Sequence, residues 1–191
     1  MLCDLIDMGE INVPKVFISY SHDSRELEEK VKILADKLID LGVQTEIDQY
    51  TTNPEQGWAQ YMLDNILESD YILCVCTEIY KNRFENKEQI GKGLGAKFEG
   101  KYITQILYEG EYNKKVLPIF FTDNGSIPSA LQPYTHYKLY QSGEFEKLYR
   151  YITKQPRIQR PQLGNIISLD GNNEDLLKSI KFGNDIELKK N

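Results

Sequence analysis

Lys15-Val16-Phe17-Ile18-Ser19-Tyr20-Ser21-His22-Asp23 is the stretch on which the fold turns. Val16, Phe17 and Ile18 are consecutive β-branched and aromatic side chains, and they stop at a polar turn. That pattern reads as a short buried strand whose carboxyl end opens into a loop. Directly after it, Leu27, Val31, Leu34, Leu38 and Leu41 recur at spacings of four and three, which lays one apolar stripe along a helix ending at Gly42. Ser21 or Asp23 can cap the start of that helix.

Moving outward, Val43, Thr45 and Ile47 alternate with polar residues as a strand does, finishing at Asp48 before the loop 49–57. A helix follows, with Trp58, Met62 and Ile66 and the neighbouring Leu63 and Leu67 on its expected buried side. Tyr71 to Cys76 is apolar at nearly every position, as a strand covered on both faces requires. Residues 80–95 are charged and glycine-bearing and read as a loop; a helix through Phe98, Tyr102, Ile103, Ile106 and Leu107 comes next. Val116 to Phe121 is a further strand, in which Pro118 points to a sheet edge or a local irregularity because it lacks a backbone donor. A weaker strand at 136–140 leads to a last helix carrying Phe145, Leu148, Tyr149 and Ile152. Strands alternating with helices imply a parallel sheet wound on both faces. The expected organisation is an extension over 1–13, one α/β domain over 14–155, and a polar tail or linker over 156–191.

At 191 residues with 40% hydrophobic side chains, the chain has enough apolar material for one domain core and no more. A net charge of −6 leaves no cationic excess for a phosphate backbone, so nucleic acid is not an expected partner. Asp4, Asp7 and Glu10 fall where a secretory leader needs a basic start and an apolar run, and no stretch is long enough to span a membrane. Cys3, Cys74 and Cys76 make an odd count with no disulfide framework, so a cytoplasmic location is expected. Cys74 and Cys76, two apart on a strand, project to one face and read as buried, reduced packing. His22 and His136 are too isolated to join them in a metal site, and none is expected. No Gly-x-Ser-x-Gly elbow or Walker-type loop occurs; Gly91, Gly93 and Gly95 follow a charged loop instead of a strand and read as flexibility near the cleft.

Three motifs occur together in order: Val16 to Asp23, then Asp48-Gln49-Tyr50 with Gly57-Trp58, then Gly95-Ala96-Lys97-Phe98-Glu99-Gly100. In this combination the chain resembles the SEFIR family, the sister of the Toll/interleukin-1 receptor (TIR) domains, over about Pro14 to Lys154. The resemblance implies a flavodoxin-like, three-layer α/β/α fold with a five-stranded parallel sheet. It also implies self-association, or association with other SEFIR or TIR domains, through the 49–57 loop, and a part in innate immunity, which for bacterial members is antiphage defence. Many relatives cleave the nicotinamide–ribose bond of NAD+ with a glutamate on the third helix, preceded by an aromatic residue; the matching pair here is Phe98-Glu99. NAD+ would then be the substrate, with no further cofactor, and the product a linear or cyclic ADP-ribose. The other function the resemblance allows is a non-catalytic adaptor that recruits like domains.

Open parallel sheets bind ligands beyond the carboxyl ends of their strands. Those ends carry Ser19 to Asp23, Asp48, Thr77 and Thr122-Asp123. The expected substrate contacts are Ser19, Tyr20, Ser21, His22, Asp23, Asp48, Trp58 and Phe98, with Glu99 as the catalytic carboxylate. The amides at the 21–24 turn could hold a diphosphate or simply be capped by Ser21 and Asp23. Glu99 falls in line with Ile103 four residues on, at the edge of an apolar stripe, where it could stabilise oxocarbenium charge or merely serve the helix dipole. Trp58 could stack on a base or a partner, although core packing is the simpler account. Asp48 could meet a ribose or cap the following turn.

Overall fold

The computed structural model describes residues 13–85, 87, 103 and 115–166. Its strands are β1 (Lys15–Ser19), β2 (Gln44–Glu46), β3 (Tyr71–Val75), β4 (Val116–Phe120) and β5 (Tyr137–Lys138). The helices are α1 (Arg25–Asp40), α2 (Trp58–Glu68), α3 (Glu78–Phe84) and α4 (Glu144–Ile152). All strand pairs are parallel, in the order β2-β1-β3-β4-β5. The alternating pattern called for such a parallel sheet, and the five-stranded, flavodoxin-like order is the one that the resemblance implies. Met1–Arg157 forms one compact unit and Ile158–Asn191 another.

The pleat explains the layers. Val16, Ile18 and Tyr20 face one side of the sheet, where they pack with Val31, Leu34 and Leu38 of α1 and Leu148 and Ile152 of α4. Phe17, Ile72, Cys74 and Cys76 face the other side with Ile66 of α2, Tyr80 and Phe84 of α3, and Ile103. Each face thus buries a separate cluster, and β3 is buried at every position because it contributes to both. Cys74 and Cys76 share a face as their spacing requires, and both are buried. Burial pushes the Cys76 thiol well above its ordinary range, so it stays a neutral packing group.

Helix α1 matches its sequence stripe. Its end is set by Gly42, whose φ of +83° lets the chain reverse while the Gly42 and Val43 amides reach back to the Ile39 and Leu38 carbonyls. Its start differs from the expectation: neither Ser21 nor Asp23 is the cap. Ser24 is, its hydroxyl accepting from the Leu27 amide at 3.2 Å. The Asp23 amide is bonded to the Ser21 carbonyl, so residues 21–23 are used up in turning the chain and the helix begins one residue later.

Four further expectations need correction. The first residues of the presumed charged loop, 80–84, belong to α3 (Glu78–Phe84), a short helix anchored by buried Tyr80 and Phe84 at helical spacing. On α2 the buried residues are Tyr61, Asn65 and Ile66, while Trp58 is 47% and Leu67 59% exposed. Residues 58–60 are all exposed, so the first turn projects past the core and Trp58 does not pack into it. β4 is an interior strand, not an edge. Yet the Ile119 carbonyl faces β3 through Cys76 and the Phe120 carbonyl faces β5 through Leu139, so by alternation Pro118 presents its missing donor toward β5. β5 pairs only with Ile119 and Phe120, and the proline lies just before that pairing begins. The strand expected at 136–140 is accordingly two residues long. Of the helix expected through Phe98 and Leu107, only Ile103 lies within the described residues; it is helical and fully buried.

Candidate functional site: the strand ends at the switch point

Chain order places β2 on one side of β1 and β3 on the other, so the strand order reverses between β1 and β3 while the strands stay parallel. The loops leaving two such strands diverge to opposite faces and leave a crevice at their carboxyl ends. Two groups of side chains converge there.

The first group spans the crevice itself. Thr77, directly after β3, caps α3 by accepting from the Tyr80 amide at 3.0 Å. The same hydroxyl donates to Asp23 Oδ2 at 2.5 Å and lies 3.3 Å from the Ser21 hydroxyl. Ser21 is buried, and Asp23 Oδ1 is buried without a hydrogen-bond partner among the described residues. Alongside lies a cleft of about 210 Å3, walled by Asp23, Ser24 and Leu27 on the α1 side and by Thr77, Phe121 and Thr122 on the sheet side. Ser19, just below, is buried with its hydroxyl 2.9 Å from that of Tyr80.

The second group lies on the β2 side. The Tyr20 hydroxyl donates to Asp48 Oδ1 at 2.5 Å and accepts from Gln49 Nε2 at 2.9 Å. Gln49 also donates to the Glu28 carbonyl at 3.0 Å. His22 bridges Asp48 Oδ2 at 2.8 Å and Glu28 Oε1 at 3.0 Å. The bond to Asp48 outweighs partial burial and, with help from Glu28, lifts the His22 imidazole to about 9, so it is a cation at neutral pH. Burial works against the Asp48 charge, but the bonds from His22 and Tyr20 prevail and hold that carboxyl below its usual range. Burial and the Asp48 carboxylate push the Tyr20 phenol far up, leaving it a fixed donor.

The expected contacts therefore divide. Ser21 and Asp23 meet at the cleft; Tyr20, His22 and Asp48 are joined to one another beside it; Ser19 is sealed beneath. Asp48 opens a short 3-10 turn over Asp48–Tyr50, but its carboxylate is engaged by Tyr20 and His22 and does not cap that turn. Trp58 stands in neither group: its ring packs edge-on against Tyr61 at 5.8 Å. Phe98 and Glu99 lie outside the described residues. Thr77 was marked in the sequence only as a polar strand end. Its position before Glu78-Ile79-Tyr80 is a helix-capping signal that becomes legible once α3 is recognised. Among the described residues no cluster of His, Cys, Asp or Glu is arranged to hold a metal, and no helix is long and apolar enough to cross a membrane.

Against known proteins, the chain is similar in structure to a prokaryotic SEFIR domain at 25% identity and a TM-score of 0.61, covering 79% of this chain and 99% of that one. The SEFIR domain of IL-17 receptor B matches at 12% identity and a TM-score of 0.57, over 75% of this chain and 96% of that one. The TIR domain of the Toll-related receptor TRR-2 from Hydra magnipapillata matches at 18% identity and a TM-score of 0.51, over 72% and 96% respectively. These last two share the fold. No curated protein matches the sequence. The SEFIR domain profile matches residues 14–151, which takes in every described strand and helix but the final residue of α4, and the chain belongs to the SEFIR family.

Proposed function

We propose that this SEFIR domain cleaves the nicotinamide–ribose bond of NAD+ when copies assemble, as part of an innate-immune, antiphage type of signalling, with Glu99 as the catalytic carboxylate. The observation that carries the reading is the cleft beside the switch point, lined by polar Asp23, Ser24, Thr77 and Thr122 together with apolar Leu27 and Phe121, and opening on the first turn of α1. First-turn amides have no intrahelical acceptor, so an anionic diphosphate can be held there by an acidic protein without a basic cluster. In the reaction the C–N bond breaks and its electron pair neutralises the nicotinamide ring nitrogen. The ribose carbon becomes oxocarbenium-like, which a carboxylate stabilises. Water then forms the new C–O bond and releases its proton to a base, or a second nucleophile within the substrate closes a cyclic product. The test is nicotinamide release from NAD+ by concentrated or crowded full-length protein, compared with Glu99→Gln. Turnover lost in the variant supports the reading; wild type and variant alike inactive after forced clustering would refute it.

A second reading, the non-catalytic adaptor that recruits like domains, is favoured by a separate observation: Trp58 stands nearly half exposed where loop 49–57 enters α2. Pro54 in that loop is buried, so Trp58→Ala is the cleaner probe of association. Light scattering of the variant should show weakened self-association. Unchanged association would remove this surface from consideration.

A further inference from the structure

We infer that the basic segment after α4, residues 154–166, is a docking segment by which one copy of this chain holds the acidic outer face of α2 on another copy. The inference deepens the self-association reading and rests on it.

Charge is segregated along the chain. Between Lys37 and Lys81 there is no Lys or Arg but eight Asp and Glu, and from Lys147 to Leu169 there is no Asp or Glu but five Lys and Arg. Lys147 and Arg150 are paired with Glu144 and Glu146, at 2.5 and 2.7 Å. Lys154, Arg157 and Arg160 are in no salt bridge among the described residues. The same stretch holds its aliphatic side chains in water: Ile158 is 86%, Leu163 98% and Ile166 100% exposed. Single exposed aliphatics are ordinary, but three on one short stretch that is neither helix nor strand over 159–166, beside cations left without carboxylates, mark a linear contact patch. Most of the segment's length lies past Ile152, the end of α4, and all of it lies outside the residues that the SEFIR profile matches.

The matching surface is on α2. Gln60, Leu63, Asp64 and Leu67 recur at three and four residues and share the side turned away from buried Tyr61, Asn65 and Ile66. Leu67 is exposed there, and Asp64 is bonded only to neutral amides, those of Gln60 at 2.7 Å and Gln56 at 3.5 Å, so its charge is not cancelled. The Gln56 bond also folds loop 49–57 back toward this side, with exposed Glu55 adjoining it. An apolar ridge flanked by carboxylates complements aliphatic side chains flanked by guanidinium groups, whose planar fork suits a carboxylate.

A second copy is the occupant because the complement is written in the same sequence. Helices α2 and α4 pack on opposite faces of the sheet, so the segment leaves the domain from the layer that α2 does not occupy. An anionic lipid surface would attract the segment but repel the rest of a chain whose net charge is −6.

The test uses the full chain with two opposite charge reversals, Arg157→Glu with Arg160→Glu on the segment and Glu55→Lys with Asp64→Lys at α2, followed by sedimentation velocity. Wild-type association should weaken as salt is added. Each reversed protein should associate about tenfold more weakly, as when exposed ion pairs become repulsions. Mixing the two should restore association, because the acidic segment of one then meets the basic face of the other, and the recovery shows that both are folded. Association unchanged by either reversal, or no recovery on mixing, overturns the inference. Loss of binding to phosphatidylserine vesicles in the segment variant, with association intact, assigns the segment to lipid and overturns it as well. Wild type that stays monomeric at every concentration sinks the self-association reading, and the inference with it. Association that Trp58→Ala weakens and the reversals do not keeps that reading and removes the segment from it.

Discussion

The two side-chain groups at the strand ends are built from adjacent residues of one loop yet are in opposite states. On the β2 side, Tyr20, His22, Asp48, Gln49 and Glu28 satisfy one another: both Asp48 oxygens have donors and both His22 nitrogens have carboxylate partners. On the β3 side, Ser21, Thr77 and Asp23 form an equally close set beside the cleft, but one buried carboxylate oxygen has no partner among the described residues. A saturated polar network rigidifies, whereas a partly satisfied one carries an unoffset desolvation cost. His22 and Asp23 are consecutive, so the clasp on one side fixes the backbone from which the Asp23 carboxylate projects.

The comparison breaks most forcefully from behind the cleft. A Cβ on Gly125 would lie 2.0 Å from the Phe120 ring and 2.7 Å from the Cys76 carbonyl, and the carbonyl belongs to backbone that cannot swing aside. Gly125→Ala should cost about 3 kcal/mol, the upper end for an overpacked core. In a chain of this size that lowers Tm by about 6–12 °C, measurable by calorimetry. The disturbance enters through Cys76, next to Thr77, so the cleft side should lose ligand binding while the His22–Asp48 pair stays formed. Loss of the raised His22 pKa in the variant, followed by NMR titration, would show that the two groups are not separable.

The clasp is broken next. Asp48→Ala leaves the Tyr20 hydroxyl, on a residue 5% exposed, with a proton and no acceptor, for which about 2 kcal/mol of destabilisation is expected. Asp48→Asn retains an acceptor for Tyr20 and removes only the charge opposite His22, so it should cost about half as much. Denaturant midpoints of the two variants check this. Equal costs would mean that the ion pair, not the Tyr20 bond, holds the loop.

How far this was legible in the sequence depends on the range of the interactions. The sheet and α1 are written locally, since Val16 to Ile18, Tyr71 to Cys76 and the stripe from Leu27 to Leu38 each carry their own burial pattern. Helix α3 was not, because its seven residues hold two core anchors among Glu78, Lys81, Asn82 and Arg83, and so few turns give no period to read. Trp58 misled because a large aromatic ring in line with Met62 and Ile66 fits a buried stripe, while nothing local shows that the helix starts beyond the core. At the site, the polar strand ends were visible as composition. Their division into a closed and an open group was not, because Tyr20–Asp48, His22–Asp48 and Asp23–Thr77 are joined across 28, 26 and 54 residues of chain.

The finest distinction between the two groups is how the clasp depends on pH. His22 has its folded pKa raised from 6.5 to about 9 and is faced by Asp48, Glu28 and the Tyr20 ring, the last at 4.9 Å. A group raised in this way favours folding by binding its proton more tightly in the folded chain. Its contribution is complete below pH 6.5 and disappears as the pH climbs through 9. Asp48, held below its ordinary 3.8, acts in the opposite sense: its contribution is present above that value and is lost as the pH falls through the folded pKa. The pair therefore contributes fully between the two ordinary values, 3.8 and 6.5, and weakens through the neutral range toward 9. The His22 side chain is 53% exposed, so water screens the pair and on the order of 1 kcal/mol is expected. Comparing wild type with His22→Gln between pH 6 and pH 10 isolates this, because lysines and the other tyrosines titrate alike in both. The stability gap should narrow as the pH rises through 9. A gap constant over that range would mean that His22 holds the clasp as a neutral hydrogen-bonding ring, and that the closed group owes its rigidity to Tyr20 and Gln49 alone.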